Sequence, residues 1–342
     1  MNGQSGCGRR GFALAELAAV LVVVLLTLAL AIPMARRARL AGWGVVDAEN
    51  LHRFAAATGS YAADNSDKYW TFSWHRAWSP GEKLPSQSPD LQNANDTDMR
   101  AAVAQVADFM RYRGGGRPDF PYIYHWFPYV SYSHIPLYDY LDQQVPALWG
   151  VSPSDRWRLE WAKDPQQFDQ GEFLPNQPKP GSDNKRWPYS SSYQLPPAFY
   201  DLANAGRRVS QADTENNWFV PQNSELRGTR LSRTWFPSQK VHLYGAQARS
   251  LGDELNGYLD APSFCLPSSR VPILLCDGHS ELMRTSDANP GWQPNAPESP
   301  DPTYIPLGSN GSYPGVYRWT RGGIYGRDFG GPEVDVECED CE

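Results

Sequence analysis

Cysteine is scarce in this chain of 342 residues: Cys7 stands near the start, Cys265 and Cys276 lie late, and Cys338 and Cys341 stand near the end. Five cysteines so unevenly placed do not make a disulfide scaffold. Cys338 and Cys341 form a CxxC pair, but structural zinc takes four ligands, and no second CxxC or HxxxH stands nearby. A disulfide or two free thiols is the expectation there. Positive charge is also short, with 31 Lys and Arg against 38 Asp and Glu and a net charge of -7. No basic stripe interleaved with aromatics is present, which argues against nucleic acid as a partner. HExxH, GxSxG, Walker A and EF-hand sequences are all missing, as is any repeat of fixed period. The expectation is a protein that is not an enzyme.

What the chain does have is 30 Pro, 29 Gly and 13 Trp, so much of it must be turns and irregular segments pinned by large aromatic side chains. Hydrophobic residues at 41% and charged residues at 20% are ordinary for a globular protein, and the length is enough to bury one sizeable core.

One long hydrophobic run stands out. Residues 1–11, MNGQSGCGRRG, are a short polar leader, and Phe12 to Met34 follow as an apolar stretch whose only charge is Glu16. About 20 helical residues cross a hydrocarbon core of roughly 30 Å, so 12–35 is assigned as a transmembrane helix. A cleaved secretory signal has a shorter apolar core ending in small residues of A-x-A type, whereas this run ends Pro33-Met34-Ala35-Arg36-Arg37. A plain signal anchor explains the length but not the acid. A carboxylate in hydrocarbon is disfavoured by roughly 2.5–3.5 kcal/mol, less near the interface, so something should compensate Glu16. A cut between Gly11 and Phe12 would create an α-ammonium at the end of the same helix, within reach of a glutamate on a neighbouring copy. Such a pair is costly to form and costlier to break, which suits a register device between subunits.

The run Gly11-Phe12-Ala13-Leu14-Ala15-Glu16 resembles the cleavage and methylation motif of type IV prepilins and type II secretion pseudopilins. The resemblance implies that a prepilin peptidase cuts after Gly11 and methylates Phe12, and that Glu16 guides assembly with other pilin-like subunits. It also implies a single pass through the inner membrane with the C-terminal domain outside the cytoplasm. Pro33 stands where the family often places a helix-kinking proline, while alanines replace the more usual threonine and isoleucine of the motif. Arg36, Arg37 and Arg39 outnumber Arg9 and Arg10, so a bare positive-inside count favours the opposite orientation.

Beyond the bilayer, Leu40, Trp43, Val46, Leu51, Phe54, Thr58 and Tyr61 recur at helical spacing, so 36–65 is expected to continue the helix. Gly42, Gly44 and Pro33 are expected to loosen it. Asp64 and Asp67 at its end are expected to be solvated. Ala48 to Trp70 resembles the "Leu…Tyr-Ala-x-Asp-Asn" helix end of large prepilin-like proteins. The fold class that follows is α+β, a long N-terminal helix packed on an antiparallel sheet with large irregular insertions, in a globular domain spanning 66–332.

Within that domain Asp98–Tyr112 predicts a helix with Met99, Val103, Val106 and Met110 on one face, Asp96-Thr97 as a capping region and Gly114 just beyond. Pro153–Ala162 predicts a short helix carrying Trp157 and Trp161. Pro121 to Tyr132 reads as strand-like or irregular, and Asn176 to Ser191 as a surface loop. In Pro272 to Met283, Asp277-Gly278 predicts a type I′ hairpin turn with both residues at positive φ. Leu282 is then expected to face the core, and Glu281 and Met283 the other side. Large prepilin-like families carry a similar late "Asp-Gly-His" sequence. Ser152-Pro153-Ser154-Asp155 and Pro237-Ser238-Gln239-Lys240 resemble their internal "Cys-Pro-Ser-Asp" and "Pro-Ser-x-x" stretches, with serine for cysteine and so without one disulfide partner.

Asp277, Gly278 and His279 are assigned to turn structure rather than catalysis, and His125 and His134 to packing among aromatics. The tail 333–342 has six acids in ten residues and reads as solvated. Asp335, Glu337, Glu339 and Asp340 are the weaker candidates for a calcium site. No other cofactor is expected. Three classes of function stand open: a pilin-like structural subunit, a membrane-anchored module that stacks glycan on Trp and Tyr, and an anchored enzyme.

Overall fold

The computed structural model describes residues 14–72, 89–92, 98–113, 117–123, 130–200, 228–245, 270–291, 304–306, 312–314, 316–318 and 320–334. Gly11, Phe12, His125, Asp96-Thr97, Gly114, the calcium candidates and every cysteine except Cys276 lie outside them. By its internal contacts the chain divides into two units, Met1–Val45 and Val46–Glu342, with the boundary inside the first helix.

That helix, α1 (Leu14–Asp64), runs unbroken through Pro33 and both glycines. Its first part is rich in Ala and Leu, which form helix readily, and is apolar on every side, the pattern of a segment without a wet face. The Thr27 hydroxyl donates to the Val23 and Val24 carbonyls at 2.9 and 2.8 Å, satisfying its polar group within the helix.

In the second unit the helix becomes one-sided. Asp47, Asn50, Leu51, Phe54, Ala57, Thr58, Tyr61 and Ala62 are buried, whereas Val46 is exposed. The expected stripe is therefore corrected at its start: the inward positions are polar Asp47 and Asn50, and the apolar Val46 points out. The helix stops where Ser66 and Asp67 enter the left-handed region (φ 58° and 66°) and the Asp67 N–H bonds the Ala62 carbonyl at 2.9 Å. Asp64 and Asp67 are not merely solvated. Tyr140 donates to Asp64 at 3.1 Å, and the Ser232 N–H donates to Asp67 at 3.1 Å.

Around this face lies the main core. Phe54 stacks on Trp70 at 6.3 Å and meets Trp149 and Tyr193 edge-on at 5.0 and 5.9 Å. A short α2 (Pro89–Gln92) is tied to α3 (Asp98–Tyr112) by Arg111 and Asp90 at 2.6 Å. Val103, Val106 and Met110 are buried as expected, but so are Ala101, Ala102, Ala104, Ala107 and Phe109, so α3 is covered on more than one side. Next come α4 (Arg156–Lys163), starting after Asp155 rather than at Pro153, and α5 (Pro165–Gln170). The 176–191 segment is not a surface loop. Asp183–Tyr189 is a 3-10 helix, and Gln177, Arg186, Tyr189, Ser190 and Ser191 are buried.

The sheet is antiparallel in the order β1 (Tyr193–Gln194), β2 (Val241–Gly245), β3 (Arg270–Leu275), β4 (Ser280–Arg284). Leu243 and Leu274 join the main core, while Val241, Tyr244, Val271, Ile273 and Leu275 pack with Val316 and Tyr317 in a second cluster. A bulge between Val241 and Leu243 lets Val241 and Tyr244 share one face although they are three apart. A separate pair, β5 (Tyr304–Pro306) and β6 (Ser312–Pro314), is antiparallel.

The β3–β4 turn departs from the expected two-residue form. Gly278 lies at φ +88°, but Asp277 is not at positive φ. The Gly278 N–H bonds the Leu275 carbonyl at 3.0 Å and the Leu275 N–H bonds the His279 carbonyl at 2.7 Å, so three residues form the loop. The extra residue slips the register by one, pairing Val271 with Met283 and Ile273 with Glu281. A slip of one exchanges the two faces. Met283 consequently packs on the second cluster and Leu282 is exposed, the reverse of the sequence expectation.

Candidate functional site

The residues singled out by the sequence fall in separate places. Glu16 lies in the first turn of α1, exposed, on a segment whose large apolar side chains from Leu14 to Met34 are exposed as well. A run of that length and apolar character is long and apolar enough to cross a membrane. It presents no cavity chemistry; what it offers is a continuous lipid-compatible surface with one acid near its start.

Asp277, Gly278 and His279 form the turn described above, and the side-chain bond of Asp277 is local. The Asp277 carboxylate accepts the His279 backbone N–H at 3.0 Å, the bond that makes Asp useful ahead of such a bend. The turn is also anchored to the segment before β2: the Cys276 N–H bonds the Lys240 carbonyl at 3.0 Å and the Asp277 N–H bonds the Pro237 carbonyl at 3.2 Å. A Cβ on Gly278 would meet nothing within 4 Å, so the backbone alone penalises substitution. Gly278→Ala is expected to cost about 1–2 kcal/mol, read as a melting temperature lower by a few degrees, with the spectrum of the folded protein unchanged.

Beneath that turn sits a polar cluster that the sequence did not suggest. Lys240, wholly buried, places Nζ 3.2 Å from Asp328 and 2.5 Å from the Thr320 hydroxyl, and Thr320 also bonds Asp328. Asp328 accepts the Val241 N–H at 2.7 Å as well. A buried ion pair of this sort is tolerable only because each charge is met by further donors and acceptors. Nearby, burial pushes the Cys276 thiol up to about 12 although the Tyr69 hydroxyl and the Lys240 charge favour the thiolate. Cys276 is a free thiol in its unreactive form.

Two further clusters hold the elements together. Asp155 caps α4 through the Arg158 N–H at 3.2 Å and pairs with the Arg158 side chain at 2.7 Å. Ser192 donates to Asp155 at 2.8 Å, and Arg158 reaches Ser190 and the Ser191 carbonyl. On α1, the Tyr193 hydroxyl donates to Asp47 at 2.6 Å and lies 3.2 Å from Asn50, joining the helix to β1. The spacing of 47, 50, 51 and 54 contained this signal, but polarity hid it.

The two buried histidines among the described residues are held neutral. His242 lies among the Tyr69, Trp70 and Phe199 rings at 4.8, 4.6 and 5.1 Å, and burial lowers it to about 3. His134 is lowered to about 3 by burial, with the Arg158 charge adding to the effect. A histidine that cannot take up a proton near neutral pH is a packing group, not a general base. Among the described residues no three His, Cys, Asp or Glu side chains gather as a cation site. No family model, curated protein or solved structure matches this chain.

Proposed function

We propose that this chain is a pilin-like structural subunit of a type II secretion or type IV pilus-like assembly, cut by a prepilin peptidase between Gly11 and Phe12 and assembled through α1. The observation that carries the reading is the character of α1. An all-round apolar stretch with a single acid, Glu16, leads within one helix into a stretch whose inward face is consumed by a globular core. A helix of that kind can hold a folded domain to a membrane or to the core of a filament, and the work it does is self-association rather than chemistry. The proposed placement is the inner membrane, single pass, with the globular unit outside the cytoplasm, and the proposed role is non-enzymatic.

The glycan-binding alternative needs two or three exposed tryptophans in one groove. Trp70, Trp149 and Trp161 are instead buried, and Trp235 is the exposed one among the described residues.

The expected N-terminal residue of membrane-extracted protein is methylated Phe12, read by mass analysis of the N-terminal peptide; an intact Met1 or a cut beyond Ala31 would sink the reading. Glu16→Ala is expected to leave membrane insertion intact or improved, since a costly carboxylate is removed, and to abolish crosslinking to neighbouring subunits. Crosslinking at the wild-type level would remove Glu16 from the assembly step.

A further inference from the structure

The arginines just beyond the apolar stretch are not used by the proposed assembly, and they run against the charge rule for orientation. Arg36, Arg37 and Arg39 are all exposed. At a rise of about 1.5 Å per residue, Arg36 stands about 30 Å along α1 from Glu16, roughly the thickness of the hydrocarbon layer. With the apolar stretch spanning that layer, the three guanidinium groups come to the level of the phosphates of one leaflet. Positions 36, 39 and 43 fall on one side of an α-helix. On that side the Arg39 guanidinium lies over the Trp43 ring, 4.7 Å from its centroid. A tryptophan backed by arginine is the combination suited to the interface, since the indole is amphipathic and the planar guanidinium binds phosphate through two parallel hydrogen bonds.

We propose that Arg36, Arg37 and Arg39 form a clamp for anionic phospholipid headgroups in the leaflet next to the globular unit, with Trp43 fixing Arg39 at the depth of the phosphates. The inference rests on the membrane-anchored reading above and adds to it a class of ligand and a leaflet. The clamp accounts for a positive cluster on that side of the apolar stretch: the charges serve to bind lipid phosphate after insertion. Arg53, on the same helix but paired with Glu49 and Asp142 at 3.4 and 3.5 Å, has its charge met by protein and takes no part.

The test uses the full chain reconstituted in vesicles of phosphatidylcholine alone and of phosphatidylcholine mixed with phosphatidylglycerol. Retention in the pure phosphatidylcholine vesicles after alkaline extraction reads insertion by itself. The phospholipid that stays with the protein on gentle detergent extraction from the mixed vesicles, identified by mass, reads the clamp. The wild type is expected to be enriched in phosphatidylglycerol. Each of Arg36→Gln, Arg37→Gln and Arg39→Gln should lower the enrichment about fivefold, equivalent to about 1 kcal/mol per arginine, and added salt should lower it further. Trp43→Ala should weaken the part due to Arg39, while Arg53→Gln should leave enrichment unchanged. Wild-type insertion without phosphatidylglycerol enrichment would overturn the clamp and leave the anchor standing. Failure of the chain to stay in phosphatidylcholine would overturn both. If the arginine variants keep their lipid but lose crosslinking to neighbouring copies, the partner of these arginines is a protein carboxylate and the lipid assignment is wrong.

Discussion

Acidification from pH 7 to pH 4 is expected to destabilise the globular unit by several kcal/mol, with His134 and His242 carrying much of the loss. Both are held near 3 in the folded protein by burial, against about 6.5 in an unfolded chain. Above pH 6.5 each is neutral in both states and contributes no pH dependence. Below it the unfolded chain binds a proton that the folded chain refuses, so stability falls steadily until about pH 3 and then levels off. A fall from 6.5 to about 3 corresponds to roughly 5 kcal/mol per histidine when fully expressed. Urea unfolding at a series of pH values reads the effect. His242→Leu, which keeps an apolar group among Tyr69, Trp70 and Phe199, should flatten the curve between pH 6 and pH 4 relative to wild type. An unchanged slope would show that His242 takes up its proton without unfolding.

Arg158→Met should be among the most damaging single substitutions in the interior. It strips Asp155, a carboxylate with almost no exposed surface, of its charge partner, and it removes the donor that holds Ser190 and the Ser191 carbonyl. Removing one member of a buried pair costs about 3–5 kcal/mol because the other charge is left in low dielectric. The double variant Asp155→Ser/Arg158→Met should lose less than the sum of the two single variants, since no charge is then stranded. Denaturant midpoints of the four proteins decide this; strict additivity would mean that the pair does not act as a unit.

The parts of the fold that were legible in the sequence are those where one period dominates. α3 begins and ends where its apolar spacing places it, and α1 stops at Asp64, one residue before the expected end. Most of the failures share a physical cause, polar residues doing interior work. Asp47 and Asn50 sit at inward positions because Tyr193 satisfies them from a strand some 140 positions away. The segment 176–191 reads as a loop because Pro and polar residues crowd it, yet Ser190 and Ser191 find partners in Arg158 and the Gly150 carbonyl, which only the folded chain supplies, and Arg186 is buried with them. The turn at Asp277-Gly278 was read in the right place but with one loop residue too few, and that single residue exchanged the faces of Leu282 and Met283. Lys240 lay inside a stretch singled out for its resemblance, but nothing local names Asp328 as its partner.

That last pairing sets the order in which the molecule can be finished. Lys240 and Asp328 are 88 positions apart, and until the later residue arrives the earlier one has no counter-charge in the interior it must enter. Chains that stop short of Asp328 would have to keep Lys240 in water and so could not close the sheet end over it. During delivery from the N-terminus, the sheet end around Lys240 is therefore expected to stay open and protease-sensitive until Asp328 has emerged.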